Sequence, residues 1–273
     1  TDSTDDPMRV KIRHSTEYTY DQPPTHGLQQ LRMIPKASAG QTIVSWRTEV
    51  QGGHKAVAFT DQHNNQVELL TLDPGTRSVT IVCEGEVDTA DTVGIIGQHG
   101  GFAPLWYFQR TTSHTRPGPR VRQLVRDLGK DFDNDTARLH ALSALILGTV
   151  PYATGTTDLS TTAELALEAG QGVCQDHAHI FIAAARLMGY PARYVSGYLV
   201  MDDRVEQEAG HAWAEVHVEG LGWVGFDVSN GVSPDPRYVR VATGLDYGEA
   251  APISGIVFGG HNESMIVQLQ VQQ

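Results

Sequence analysis

Two neighbouring stretches decide the fold: GVCQDHAHIFIAAARLMGYPARYVSGY at residues 172–198 and HAWAEVHVEGLGWVGFDVSN at residues 211–230. The first contains a helical segment that is apolar on nearly every side from Ile180 to Met188, which predicts a helix buried inside the protein. Gly189 and Pro191 end that helix, and runs of alternating apolar residues follow. A helix followed by antiparallel strands is typical of an α+β fold rather than of a βαβ unit.

Cys174 stands at the head of the buried helix, just after a glycine-rich turn. The free N–H groups and the dipole at a helix N-terminus favour a negative charge, so they favour a thiolate there. The same N–H groups are suited to hold an oxyanion. A buried structural cysteine at a helix start is the alternative, and this segment alone leaves both interpretations open. Cys83, inside the apolar strand IVCEG, is interpreted as a buried structural cysteine.

A thiolate nucleophile needs a base, and the base needs a group that orients it. Because residues alternate along the strand HAWAEVHV, one face carries His211, Trp213, Glu215 and His217. A hairpin loop of three or five residues matches the apolar faces of the two strands and places Asp227 opposite Trp213. His211 is then the diagonal neighbour of Asp227, within side-chain reach. The register that buries the apolar residues therefore predicts a constellation of Cys174, His211 and Asp227.

The rest of the chain shows a strand-like pattern in its N-terminal part and a helical pattern after it. Short alternating or β-branched runs at 9–20, 42–50, 56–60, 66–72 and 78–87, separated by turn signals, predict an all-β, sandwich-like domain. Residues 89–119 show no period and are interpreted as a linker. Helices are expected at 119–129, 135–148 (capped by Asn134 or Asp133) and 161–170, and further strands at 192–200, 223–229, 237–243 and 264–271.

The predicted organisation is an N-terminal β domain at 8–112 and a core at 113–273, in which helices pack on an antiparallel sheet. The chain has 273 residues and a formal net charge of −12, which disfavours nucleic acid and anionic membranes as partners. No apolar run is long enough for a transmembrane helix. Two cysteines make no disulfide framework, and TDSTDDPM lacks the features of a signal peptide. We expect a cytoplasmic protein, with residues 1–7 as a leader.

The block from Gly172 to Asn230 resembles the core of the transglutaminase-like superfamily, with its order of Cys, a His that opens an HAW strand, and an Asp after a Trp-containing strand. HSTEYTY at 14–20 and LQQLRMIP at 28–35 resemble the β domain that precedes this core in bacterial members. The resemblance covers nearly the whole chain from Met8. It implies a papain-like core with Cys174 as nucleophile, His211 as general base and acid, and Asp227 as the orienting carboxylate.

Three departures from the family accompany the resemblance. Val228 and Ser229 follow Asp227, where members commonly carry Pro-Thr. No Trp lies between Trp106 and Cys174, so the oxyanion-stabilising Trp of animal transglutaminases has no counterpart there. No acidic calcium loop is evident either. The first departure is expected to alter the end of the strand and not the carboxylate, whereas the other two count against the crosslinking activity of the animal enzymes.

Further candidates for contacts in the substrate cleft are Trp213, Glu215, His217 and Asp176. For Asp176, an anchoring role in the first turn of the helix is the favoured interpretation. His177 and His179 point apart because they stand two residues apart on a helix, so they are poor co-ligands. We predict neither a metal nor a cofactor.

The predicted function is thiol-dependent hydrolysis of a peptide or protein amide through a thioester acyl-enzyme, as in a transglutaminase-like cysteine protease. Two alternatives stay open. One is transfer of the acyl group to an amine, and the other is a non-enzymatic binding module in which the triad is a relic. The resemblance also implies peptide-ligase-like proteins as partners, because related bacterial proteins often accompany them.

Overall fold

A computed structural model describes residues 7–201, 205–207, 209–260 and 262–273, so residues 1–6 of the predicted leader lie outside the described residues. Strands come first: β1 (Met8–Thr19), β2 (Pro24–Leu31), β3 (Gln41–Gln51), β4 (Gly53–Thr60), β5 (Gln66–Leu72), β6 (Ser78–Thr89) and β7 (Ile95–Gly97). After a 3-10 helix come α1 (Pro119–Leu128), α2 (Asp135–Thr149), α3 (Ala163–Ala169) and α4 (Cys174–Leu187). The remaining elements are β8 (Ala192–Leu199), β9 (Glu206–Gln207), β10 (His211–Val218), β11 (Gly222–Phe226), β12 (Tyr238–Gly244), α5 (Tyr247–Ala250), β13 (Ile253–Gly259) and β14 (Ser264–Gln272).

The N-terminal half forms the predicted sandwich-like β domain. One antiparallel sheet has the order β3-β6-β1-β14-β9, and the second has the order β13-β2-β5-β4. Alternate residues of β1 are buried because only one face of the strand points inward. The two sheets share a core of Tyr18, Leu31, Leu70, Ile81 and Cys83, among others. The sequence PTHGLQQL of β2 was not predicted as a strand, because it opens with Pro and lacks a clean alternation.

Cys83 is confirmed as a buried structural residue. Its side chain is fully buried in the sandwich core, and Sγ lies 3.7 Å from Sδ of Met33. Burial raises the pKa of this thiol to about 12. Cys83 is therefore a protonated thiol at neutral pH.

In the C-terminal half, helices pack on a five-stranded antiparallel sheet of order β12-β8-β10-β11-β7, which confirms the α+β class. Helix α4 is buried from Gln175 to Arg186, because the sheet covers one side and the other helices cover the rest. Over the residues that the structure describes, no helix has the length and apolarity that crossing a membrane requires.

The predicted helix ends are confirmed at Asn134 and Gly170, which cap α2 and close α3. Thr162 caps the start of α3 with its hydroxyl, but Glu164 does not complete a capping box. Its carboxylate instead crosses to the start of α1. There it accepts the backbone N–H groups of Gly118, Arg120 and Val121 at 2.7, 3.1 and 2.9 Å. The two short helices are thus joined by one side-chain cap.

Strands β10 and β11 form the predicted hairpin in the predicted register. The loop at 219–221 has the odd length that matches the apolar faces, and Ala214 pairs with Phe226. Continued by one residue, this register sets Asp227 opposite Trp213. The strand ends at Phe226 rather than at 229, because Asp227 and Val232 exchange backbone hydrogen bonds of 2.8 and 3.1 Å in a turn. Asp227 is therefore fixed by both the strand and the turn.

Strand pairing does not follow the predicted division at residue 112. Strand β7 pairs with β11 in the core sheet, whereas β13 and β14 return to pair with β2 and β1. The predicted strand at 264–271 is present as β14, but it belongs to the N-terminal half. The glycines of ISGIVFG hide the alternation of β13, and α5 is too short for a helical period. The units 8–112 and 113–273 stay a prediction.

Candidate active site

Cys174 is presented by a tight turn at the start of α4. A Cβ at Gly172 would lie 2.8 Å from Oδ2 of Asp176, so the turn has room only for glycine there. The same oxygen accepts the backbone N–H of Val173 at 2.8 Å and the hydroxyl of Thr157 at 2.6 Å. Asp176 is thus the predicted anchor of the helix start.

His211 opens β10 and joins the two other predicted residues. Its Nε2 donates to Oδ2 of Asp227 across 2.6 Å. Since Nε2 is engaged in this way, Nδ1 is left for the thiol of Cys174, which lies on the same cavity wall and raises the pKa of His211. The structure therefore brings together the three residues that the sequence analysis selected.

Two residues that the sequence analysis missed hold Asp227. The side-chain amide of Asn230 and the hydroxyl of Tyr238 each donate to Oδ2 of Asp227 at 2.7 Å. The backbone N–H of Asn230 adds a 3.3 Å contact to Oδ1. Asn230 stands three residues after Asp227, so its contact with Asp227 could have been predicted from the sequence of the turn. Tyr238 lies on β12, and its approach depends on how β12 pairs with β8.

The hydrogen bonds outweigh burial in setting the charges. Burial lowers the pKa of His211, but its hydrogen bonds to Asp227 and Cys174 and their negative charges raise it to about 10. Burial likewise raises the pKa of Asp227, yet the bonds from His211, Asn230 and Tyr238 leave it lowered. Burial and the Asp227 charge raise the pKa of Tyr238, which remains a donor. The site therefore favours an imidazolium beside a carboxylate.

Cys174 and His211 both line a cavity of about 730 Å³. Its walls come from the start of α4, from β8, from the loop at 152–159 and from the segment that leads into His211. The lining includes four tyrosines, namely Tyr152, Tyr194, Tyr198 and Tyr247. The volume lies in the usual range for a ligand site.

Trp213 and His217 are not among the residues that line this cavity, and their contact with substrate stays a prediction. Trp213 is 2% exposed and packs edge-on against Tyr238 at 5.4 Å. His217 packs against the ring of Trp223 at 5.5 Å, at the far end of β10. Alternation correctly placed these residues on the face of His211. That face is covered, however, for example by Phe108, whose ring lies 5.0 Å from that of Trp223.

Glu215 and Asp176 are also absent from the cavity lining. Glu215 is fully buried between two guanidinium groups, with Nε of Arg193 and Nε of Arg240 each 2.6 Å from one of its oxygens. Asp176 is 1% exposed and is engaged at the helix start. Both carboxylates are therefore engaged in structural contacts, and their contact with substrate stays a prediction.

The two histidines of α4 are held by separate partners. Ser229, at the position that departs from the Pro-Thr pattern, donates its hydroxyl to Nδ1 of His177 at 2.8 Å, and Nε2 of that ring donates to the carbonyl of Val150 at 2.7 Å. His179 stacks on His114 at 5.0 Å. Among the described residues, no cluster of three or more His, Cys, Asp or Glu side chains is arranged to hold a metal ion.

A cysteine at the start of a buried helix, beside a histidine and an aspartate on an antiparallel sheet, defines a papain-like class of α+β protein. The chain belongs to the transglutaminase-like superfamily. The family model described as the transglutaminase-like superfamily matches residues 122–228, and the model of the bacterial transglutaminase-like N-terminal region matches residues 10–88.

Relatives share both halves of the chain. An uncharacterized protein of Mycobacterium leprae (strain TN) is 28% identical over 265 residues, which span 92% of this chain and 94% of that protein. Uncharacterized proteins of Mycobacterium bovis and Mycobacterium tuberculosis are 28% identical over 285 residues, spanning 94% of this chain and 90% of theirs. The crystal structure of a candidate cysteine protease from Cytophaga hutchinsonii has a TM-score of 0.79 and 22% identity, and the match covers 97% of this chain and 90% of that one. This last likeness establishes the fold.

Proposed function

We propose that the protein is a cysteine-dependent hydrolase of a peptide or protein amide. The observation that carries the proposal is the hydrogen bond of the imidazole to the carboxylate, with the thiol and the imidazole both on the wall of one cavity. In this proposal Cys174 is the nucleophile, His211 the general base and acid, and Asp227 the carboxylate that orients the imidazole.

The first half of the proposed reaction forms a thioester. His211 takes the proton of Cys174, and the sulfur attacks the amide carbon, so that a C–S bond forms and the carbonyl π pair moves to oxygen. First-turn N–H groups of α4, which have no carbonyl partner within the helix, are suited to bind this oxyanion. The imidazolium then protonates the leaving nitrogen, the C–N bond breaks and the amine departs.

The second half restores the enzyme. Water attacks the thioester carbon while His211 takes one of its protons, the C–S bond breaks, and the carboxylic acid leaves. A primary amine in place of water would form a new amide by the same steps, which is the transferase alternative. Hydrolysis is the favoured form because water needs no binding site of its own.

The proposal also assigns the protein to the cytoplasm and keeps a peptide-ligase-like protein as its partner. Both Cys83 and Cys174 are free, which fits a reducing compartment. The partner rests on the family resemblance alone, and co-purification from the native host would test it.

The pH dependence of Cys174 alkylation tests the proposed function. Iodoacetamide labelling is followed by peptide mass spectrometry from about pH 5 to 9 in the wild type and in His211→Ala. We expect fast labelling of Cys174 at about pH 6, where an unperturbed thiol with a pKa of about 8.5 reacts slowly, and loss of that labelling in His211→Ala. Cys83, with its pKa near 12, is the internal control.

An ordinary thiol titration at Cys174 that does not change in His211→Ala would overturn the enzyme proposal and favour the binding module. If labelling behaves as expected, incubation of peptide substrates with an added primary amine separates the two reactions. Hydrolysis yields only the free acid, whereas transfer yields a conjugate with the mass of the amine.

A further inference from the structure

We propose that the N-terminal β domain forms part of the substrate site, through a hydrogen-bonded pair of His14 and Tyr198 that determines which peptides the cavity accepts. The inference rests on the proposed function and adds a substrate class to it. That class is a peptide segment that is uncharged or cationic and offers N–H donors to the cavity wall.

His14 reaches the cavity from the N-terminal half of the chain, whereas Cys174 and His211 belong to the C-terminal half. It lies on β1, in the stretch HSTEYTY, yet it lines the same cavity as Cys174 and His211. Its Nδ1 lies 2.9 Å from the hydroxyl of Tyr198, and the two rings meet edge-on at 5.7 Å. Tyr198 follows Gly197, which pairs directly with His211 in the core sheet. The pair thus joins the N-terminal sheet to the strand beside the candidate base.

This wall of the cavity is a fixed part of the fold. Val10 and Ile12 of β1 share one buried cluster with Tyr198, Val239 and Val241 of the core sheet. Strand β9, in the segment that leads to His211, pairs with β14 of the N-terminal sheet. A continuous core and shared strand pairing hold the two halves together more firmly than a flexible linker would. The N-terminal half therefore shapes the cavity directly.

The pair presents a hydrogen-bond acceptor to the cavity. Burial lowers the pKa of His14 to about 4, so the ring is neutral at pH 7 and carries a single N–H. Nδ1 shares the 2.9 Å hydrogen bond with the Tyr198 hydroxyl, and Nε2 lies 3.4 Å from the hydroxyl of Thr16. Whichever of the two groups donates, the Tyr198 oxygen keeps a lone pair that can accept an N–H of a bound peptide.

The charges of the lining set the substrate class. Apart from Cys174 and His211, the described lining residues include one formally charged side chain, Glu206, and neither Lys nor Arg. A substrate carboxylate would find no Lys or Arg among the described lining residues and would lie near this acid, whereas a neutral or cationic side chain would not be repelled. The net charge of −12 acts in the same direction.

Covalent probes test the pair and the class together. Two N-acetyl-dipeptidyl chloromethyl ketones are used, identical except for a Lys or a Glu side chain next to the reacting residue. The sulfur of Cys174 displaces chloride from each probe, and the rate is read by intact mass. Dividing this rate by the iodoacetamide rate of the same variant removes differences in thiol reactivity.

We expect wild type to react faster with the Lys probe than with the Glu probe. Tyr198→Phe and His14→Ala should each lower the normalised rate for both probes about tenfold, because a peptide N–H loses its acceptor. Glu206→Gln should reduce the preference for Lys over Glu about threefold, the scale of an exposed charge. His26→Ala, an exposed histidine of the same domain, is the matched control and should match wild type.

Tyr198→Phe keeps the test decisive if His14→Ala, which empties a buried position, fails to fold. Normalised rates in Tyr198→Phe equal to wild type would overturn the role of the pair. Equal rates of the two probes on wild type would overturn the substrate class. Failure of the proposed function itself would appear earlier, as slow iodoacetamide labelling of wild-type Cys174 at about pH 6.

Discussion

Two buried carboxylates lie on the same side of the core sheet, and their partners give them different properties. Asp227 is bonded to the imidazole of His211, while Glu215 is bonded to the guanidinium groups of Arg193 and Arg240. An imidazole gains and loses a proton near neutral pH, whereas a guanidinium stays charged. The comparison teaches that the partner, more than burial or strand position, separates a proton-transfer site from a structural ion pair.

The ion pair of Glu215 is fully formed at neutral pH. Burial raises the pKa of this carboxyl, but the charges and hydrogen bonds of Arg193 and Arg240 outweigh it and lower the pKa to about 2. Arg193 also stacks over the ring of Trp223 at 3.8 Å. None of these partners can accept a proton from a thiol, so the cluster stabilises the sheet without serving the chemistry.

The largest effect is expected from breaking this structural pair. Glu215→Gln leaves two buried guanidinium groups without a counter-charge, so the free energy of unfolding should fall by about 3–5 kcal/mol. Urea unfolding of both proteins measures the change. Glu168→Gln, which removes an exposed pair with Arg120, is the matched control and should have little effect. An equally small loss in Glu215→Gln would show that the buried pair does not stabilise the sheet.

The same unfolding experiment has a pH dependence that distinguishes the two carboxylate sites. The folded pKa of Glu215 is depressed to about 2 from 4.5, so its contribution is present above about pH 4.5 and is lost as the pH falls towards 2. The pKa of His211 is raised to about 10 from 6.5, so its contribution is present below about pH 6.5 and is lost as the pH rises towards 10. The stability differences of Glu215→Gln and His211→Gln from wild type should therefore shrink in opposite directions.

The next largest effect is expected at the other carboxylate. Asp227→Asn keeps the shape but removes the negative charge beside His211, so the imidazolium loses its main support. We expect Cys174 labelling at about pH 6 to slow about 100-fold, which corresponds to about two pKa units of lost charge stabilisation. Folded Glu215→Gln should label at nearly the wild-type rate. Equal slowing in both variants would mean that the two sites are not functionally distinct.

How much of this site could be predicted depends on where each residue comes from. The pairing of His211 with Asp227 followed from the sequence because HAWAEVHV and WVGFDVS match their apolar faces only with an odd loop. Arg240, one of the two partners of Glu215, could not be predicted in the same way. Arg240 lies on β12, whose pairing with β8 shifts register between Arg240 and Ala242, and no local pattern reports such a shift.

The same reasoning explains the N-terminal wall of the cavity. His14 belongs to an alternating strand, which was predicted, and lies buried on its inward face. What lies opposite it depends on the packing of two sheets from distant parts of the chain. The return of β14 to β1 is also such a long-range pairing. Local periodicity therefore predicted the elements well, and their neighbours poorly.

The smallest predicted effect concerns Tyr238, which supports Asp227 from outside the predicted constellation. Tyr238→Phe removes one of the donors to Oδ2 of Asp227 and keeps the ring, whose centroid lies 5.9 Å from that of His211. We expect labelling of Cys174 at about pH 6 to slow about tenfold, the scale of one hydrogen bond to a charged group. Tyr190→Phe, whose hydroxyl bonds to Asp135 away from the site, is the matched control.

The pH profile of the same variant distinguishes a positioning role from a merely structural one. A carboxylate that loses a donor holds its proton more tightly, so the pKa of Asp227 rises and the acid limb of Cys174 labelling moves to higher pH. A variant that was only less stable would lose amplitude through its unfolded fraction, with the limb unchanged. An unmoved limb together with a wild-type rate would leave Asn230 as the residue that holds Asp227, because its amide still donates to the same oxygen.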